Sequence, residues 1–339
     1  MIKKLPFAVG LCLTALLAQA APAKADPLLQ SDDRVVFIGN TLIERARLYG
    51  QFEASLQIAA GPEVVGITFR NLGWSADSVF GDSRSYFGTP EEGRGRLAKN
   101  VEELKPTVIL LSYGTGEAMS VEQGWTNEKQ AAEVSGAGLE ESLALFIDGY
   151  QKKIDAIRNA AGGSIREVVL LSPPPLENLG APLPDQSANN NNMAAFRDAI
   201  RDLAKKNDAH FVDLFAALGG DDFDGSIADP ALTENGVHYT EEGYAILAKA
   251  LLKDLGYDEL PVTVADAEAK IALRAEIGEK NRLFLHRWRP ANETYLFLFR
   301  KHEQGQNAKE IPMFDPLIEA QEVRIEEARQ RVFSGSTKN

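Results

Sequence analysis

Short apolar runs alternate with amphipathic stretches along most of the chain. Val35-Val36-Phe37-Ile38 is apolar throughout and partly β-branched, the pattern of a strand buried on both faces of a parallel sheet. Gly39-Asn40-Thr41 follows, and Thr41 with Glu44 three residues on reads as a capping box opening a helix that runs through 46–56. Residues 64–72 predict a second strand ending at Asn71-Leu72-Gly73, and 107–113 (TVILLSY) a third, followed by Gly114-Thr115-Gly116-Glu117. Residues 167–172, stopped by Pro173-Pro174-Pro175, and 210–215 predict the fourth and fifth strands. Helical periodicity covers 139–161, 194–206 and 239–255, with Thr240 as the cap of the last. Residues 74–99, rich in Gly, Ser and Asp, read as a long loop running into a short helix, and Asn189–Asn192 as part of a polar loop.

Strands joined by helical crossovers predict an α/β fold: a three-layer parallel sheet of about five strands. A compositional boundary falls near 256. Beyond it, 266–284 and 316–332 are helical and charged, and 286–299 is aromatic and basic. The expected organisation is a leader over 1–25, an α/β domain over 26–256 and a mainly helical C-terminal extension over 257–339.

The leader is read from Lys3 and Lys4, the apolar run 7–18, and the small-x-small sites Ala18-Gln19-Ala20 and Ala23-Lys24-Ala25. It predicts export to a periplasm or the exterior, with no membrane span once it is removed. The single cysteine, Cys12, lies inside it, so the mature chain is expected to rely on its core rather than on disulfides. The whole chain carries a formal charge of −13, and losing the leader removes three lysines and no acid. So acidic a surface argues against nucleic acid as a partner. No His, Cys or carboxylate cluster has metal-ligand spacing and no Gly-rich loop has phosphate-binding form, so neither metal nor cofactor is expected.

The candidate chemistry sits where strands end. Gly39-Asn40-Thr41, Asn71-Leu72-Gly73, Gly114-Thr115-Gly116-Glu117 and Asn235-Gly236-Val237-His238 should gather at the carboxyl edge of the sheet, where open α/β sheets bind ligands. In this order the four blocks resemble those of the SGNH hydrolases, the GDSL esterase/lipase family. The resemblance is to a divergent exported branch, known from planctomycetes and related bacteria, that carries Gly-Asn-Thr and Asn-Gly-Val-His.

That resemblance implies a nucleophile at Thr41, a general base at His238 oriented by Asn235, and an oxyanion hole from Thr41, Gly73 and Gly116, with Asn40 and Glu117 beside the substrate. It also implies a small-molecule or glycan ester as substrate. Three positions depart from the family: threonine replaces serine at 41, glycine replaces asparagine at 116, and asparagine replaces the triad aspartate at 235. An Asp-to-Asn change in a serine protease triad costs on the order of 10⁴ in turnover. Two readings follow: an ester hydrolase with a degenerate triad, acting on acylated carbohydrate, or a non-catalytic protein that keeps the cleft for binding. Several of these residues also have a purely structural reading: Thr41 as a cap, and Asn235 and Gly73 as turn residues; the aromatics Trp74, Trp125, Trp288, Tyr295, Phe297 and Phe299 read as packing.

Overall fold

The structure is a computed structural model and describes residues 28–122, 125–127, 132–135, 138–257 and 264–335. The leader expected over 1–25 lies outside the described residues. Five parallel strands form the central sheet: β1 (Arg34–Gly39), β2 (Thr68–Asn71), β3 (Val108–Ser112), β6 (Glu167–Leu171) and β7 (His210–Val212), in the order β2-β1-β3-β6-β7. A short antiparallel ribbon, β4 (Trp125–Asn127) with β5 (Ala132–Ser135), stands apart and was not foreseen from the sequence.

The strands are apolar because both sheet faces are covered. Val36, Ile38, Ile109, Leu111, Val168 and Leu170 point into one core, under α3 (Pro90–Leu104), α5 (Leu139–Ala160) and α6 (Ser187–Lys206). Val35, Phe37, Val108, Leu110, Val169 and Leu171 point into the other, under α1 (Thr41–Tyr49), α2 (Gln51–Ala59) and α8 (Glu241–Asp254). This period-two division of continuous apolar runs is the signature of a two-sided parallel sheet. Two short helices, α4 (Thr115–Met119) and α7 (Leu214–Ala217), follow β3 and β7.

Local chemistry sets several boundaries. The helix expected through 46–56 is broken at Gly50, whose φ of 64° closes α1 in a left-handed cap. Thr240 caps α8 as expected, its side chain accepting from Gly243 N–H at 3.2 Å. The capping box is corrected: Asn40, not Thr41, is the cap of α1, its Oδ1 accepting from Leu42 N–H at 3.1 Å. Asn189–Asn192 lie inside α6, where Asn190 holds both the N–H and the carbonyl of Leu176 at 2.8 Å.

The extension comprises α9 (Val264–Trp288), the short α10 (Glu293–Leu296) and α11 (Lys301–Gln304), and α12 (Asp315–Gly335). Arg287 pairs with Asp315, and Gln321 reaches the Glu276 carbonyl, so α9 and α12 run antiparallel. Their apolar seam (Leu273, Ile277, Ile325, Ala328, Val332) closes over Ala54 and Ile58 of α2. Polar contacts reinforce it. Lys280 Nζ, buried, meets Glu53 Oε2 at 2.7 Å and the Phe69 carbonyl at 2.9 Å. The Arg329 guanidinium donates to the carbonyls of Gln57, Gly61 and Val64. The aromatic segment contributes less than its composition promised: Trp288 packs at the edge of the first core, whereas Phe297 and Phe299 are exposed.

Candidate active site

Above the carboxyl ends of β1, β3 and β6 lies a cleft of about 480 Å³. Thr41, Ala76, Gly116 and His238 share its wall with Arg45 and Asn40. The sheet thus brings the first, third and fourth sequence blocks to one place, as their strand-end positions require.

Thr41 is the first residue of α1, presented at the cleft by the turn through Gly39 and Asn40. Its Oγ1 accepts a hydrogen bond from the Ala76 N–H at 3.1 Å. Ala76 holds a φ of 57°, a left-handed conformation that an alanine adopts only under constraint. Glu44 does not bond back to its own helix start. Its carboxylate instead takes the Ser75 N–H and the Arg289 guanidinium. Burial opposes ionisation of Glu44, but the Ser75 hydrogen bonds and the Arg289 charge outweigh it and hold the carboxyl below its usual value.

Gly73 is a correction. Its N–H is taken by Asn71 Oδ1 at 2.8 Å, and it does not line the cleft. A Cβ there would come within 2.2 Å of the Glu44 nitrogen, so the glycine allows β2 to abut α1. The backbone donor facing Thr41 is Ala76, three residues on. The loop's Gly/Ser/Asp-rich composition marked a functional segment but not which residue in it would turn left-handed.

Glu117 is anchored by backbone donors. It lines the cleft, but its Oε1 accepts from Val79 N–H at 3.0 Å and its Oε2 from Gly114 N–H at 3.1 Å. Burial pushes its carboxyl up to about 7, against those hydrogen bonds. Those bonds tie the loop to the start of α4. Gly116 has open space around the position of a Cβ, and its carbonyl accepts from Ser120 Oγ at 2.6 Å. Asn40 uses its Oδ1 as the helix cap, and its Nδ2 has no protein partner among the described residues.

The turn carrying His238 is fixed from below. Glu177 accepts from the N–H groups of Leu232 and Thr233, and Tyr239 Oη donates to the Pro175 carbonyl at 2.7 Å. Asn235 Oδ1 accepts the N–H groups of Val237 (3.1 Å) and His238 (2.9 Å), which fixes the orientation of its amide. Asn235 Nδ2 therefore faces His238 Nδ1, at 3.2 Å. An amide nitrogen can only donate, so Nδ1 is the acceptor and the ring proton sits on Nε2. Burial holds this imidazole below its ordinary pKa, and the nearby Arg45 guanidinium lowers it further against the opposing charge of Glu234. Glu234 itself pairs with Arg45 at 2.8 Å. No hydrogen bond joins Thr41 to His238.

Behind the loop, Asp77 is buried with Arg84 Nε at 2.7 Å and Tyr113 Oη at 2.8 Å. Arg84 also donates to the carbonyls of Leu72 (2.8 Å) and Gly39 (3.4 Å), joining the ends of β1 and β2. Among the described residues no group of three or more His, Cys, Asp or Glu is placed to hold a metal, and no helix is long and apolar enough to cross a membrane.

The model of the GDSL-like lipase/acylhydrolase family matches residues 39–246. Among solved structures, a variant of Axe2, an acetyl xylan esterase from Geobacillus stearothermophilus, superposes with a TM-score of 0.50 at 18% identity, covering 69% of this chain and 100% of that one. LAE5, an alpha/beta hydrolase from the metagenome of Lake Arreo, Spain, gives 0.46 at 18% identity, covering 68% of this chain and 97% of that one. No curated protein matches the chain in sequence.

Proposed function

Because the chain belongs to the GDSL-like lipase/acylhydrolase family, we propose that it is an exported, slow ester hydrolase acting on acylated carbohydrate. The observation that carries the reading is the Ala76 N–H directed at Thr41 Oγ1 in the cleft that also holds His238. Thr41 is the nucleophile. The N–H groups of Ala76 and of Thr41, the latter without an intrahelical acceptor at its helix start, are the oxyanion donors. The wall suits a short acyl group on a polyol, with Leu42, Met119 and Leu176 beside Ser78, Ser83 and Thr115.

In this scheme Thr41 Oγ1 attacks the ester carbonyl and its proton passes to His238. The imidazolium gives that proton to the departing sugar hydroxyl, and water then cleaves the acyl-threonine by the same relay. The base must offer a lone pair on Nε2, so its proton must move to Nδ1 and oppose the Asn235 amide. The lost hydrogen bond is worth about 1 kcal/mol. With no carboxylate to stabilise the imidazolium either, the whole defect is of the order seen when a triad aspartate becomes asparagine, about 10⁴, the tautomer penalty included.

The same contact favours a second reading, a cleft that binds without turnover: at rest the ring carries an Nε2–H donor rather than a basic Nε2. A panel of acetylated sugars and short-chain aryl esters separates the two. Slow hydrolysis that disappears in both Thr41→Ala and His238→Ala is expected. Hydrolysis no faster than in His238→Ala, with acetylated sugars still binding, selects the second reading. Export is tested by cell fractionation and N-terminal sequencing, with cleavage expected after Ala20 or Ala25.

A further inference from the structure

The end of the extension reaches the loop that carries the Ala76 donor. Pro290 disfavours helix at the residue before it, and α9 stops at Trp288. Arg289 then leaves the helix with its guanidinium 4.5 Å over the Trp74 ring and 5.7 Å from the Trp288 ring, in an ion pair with Glu44. Trp288 meets Trp74 edge to face at 5.8 Å.

These contacts surround three consecutive backbone donors. Trp74 N–H is held by the Gly39 carbonyl at 3.0 Å, Ser75 N–H by Glu44, and Ala76 N–H by Thr41 Oγ1. Ala76 sits in a left-handed conformation costing on the order of 1 kcal/mol, so it persists only while its neighbours are held. Glu44 is the joint. One oxygen holds the loop and the other is held by the extension, and without Arg289 a mostly buried carboxylate would lose its only ion pair among the described residues.

We propose that Arg289 is a positioning residue for the cleft: through Glu44 and Trp74 it holds the loop so that the Ala76 N–H points at the nucleophile. The kinetic consequence rests on the hydrolase reading, whereas the ordering of the loop does not. The extension is then part of the active-site architecture. The rival is that Arg84, 5.7 Å from the Trp74 ring and bonded to the Leu72 carbonyl, holds the loop by itself.

The test compares full-length wild type with Arg289→Ala, Arg289→Lys and, as a control, Arg287→Ala. The control, on the same extension, removes Arg287's pairs with Glu103 of α3 and Asp315 without touching the loop. Amide hydrogen exchange at Ser75 and Ala76 is expected to rise about tenfold or more in Arg289→Ala. Its kcat should fall roughly 10- to 100-fold, with KM within about threefold, because a small misplacement acts on the transition state. Arg289→Lys keeps the charge but loses the planar fork, and should lie between wild type and Arg289→Ala. Arg287→Ala should leave both readouts unchanged. Unchanged exchange in Arg289→Ala, equal effects in Arg287→Ala, or a change in KM alone would each overturn the proposal. If Arg289→Ala fails to fold, Arg289→Lys decides: wild-type exchange at Ser75 and Ala76 overturns it. If the wild type hydrolyses no ester, the hydrolase reading fails and the exchange data still decide this one.

Discussion

At the scale of single residues, the hydrolase reading turns on the Asn235–His238 contact. Asn235→Asp keeps an oxygen for the Val237 and His238 N–H groups and gives Nδ1–H a charged acceptor, so Nε2 becomes the basic nitrogen. Turnover should rise by up to about 10³ to 10⁴. The pH profile should move with it. In the wild type, burial and Arg45 hold the imidazole low, so the neutral ring survives below its usual range and the acid limb of kcat/KM should lie below about 6.5. The new carboxylate stabilises the protonated ring, and the limb should shift to higher pH. A variant whose rate rises with no shift would contradict the assignment of His238 as the base. Gly116→Asn fits the open space at that position, and Thr41→Ser removes the crowding methyl. Combined with Asn235→Asp they should exceed any single change, because these groups act as a unit.

Glu117 supplies an independent pH test. Its carboxyl is pushed up to about 7 by burial, so the folded state holds a proton that the unfolded chain releases near the ordinary carboxylate value. Between those values the folded state binds more protons, and stability falls as pH rises. Full expression of the shift would be worth roughly 3 kcal/mol. Glu117→Gln removes the titration, and its melting temperature should decline less than that of the wild type between pH 5 and pH 8. Parallel declines would mean that Glu117 does not titrate there.

At the scale of elements, the loop after β2 is organised by two residues of opposite demands. Gly73→Ala would drive a methyl into the backbone of α1, where no side chain can yield, and should cost at least about 3 kcal/mol in chemical denaturation. Ala76→Gly relieves the left-handed strain and should stabilise slightly, by up to about 1 kcal/mol. The sheet was legible in the sequence because five apolar runs buried on both faces leave few alternatives. The cleft's membership was legible because Thr41, Gly116 and His238 all lie at element ends. What sequence could not supply was the destination of each hydrogen bond. The local pattern pairs Glu44 with its own helix start, yet its partners lie 31 and 245 residues away, at Ser75 and Arg289. Asn71 took the Gly73 donor, and Asn40, one residue earlier than expected, took the cap. Such choices depend on which chain lies opposite, and no local pattern encodes that.

At the scale of the whole molecule, the extension and the α/β domain are bound through groups that neither part can leave exposed to the other's absence. Burial pushes Glu53 up to about 7, with Lys280 as the opposing charge. Lys280→Met alone should therefore destabilise by about 3 to 5 kcal/mol, whereas Glu53→Leu with Lys280→Met should recover most of that loss. The same reasoning predicts what a chain ending at residue 257 would do. Truncation uncovers Ala54 and Ile58, strips the ion pairs from Glu53 and Glu44, and frees the carbonyls of Gln57, Gly61 and Val64 that Arg329 holds. Each buried polar group that loses its partner costs about 1 to 3 kcal/mol, and a domain has only about 5 to 15 in hand. The truncated chain should be insoluble, or melt without cooperativity. A soluble product with a cooperative transition within about 5 °C of the full-length protein would show that the two parts fold separately. In that case the contacts of α9 and α12 would be docking between independent units rather than completion of one fold.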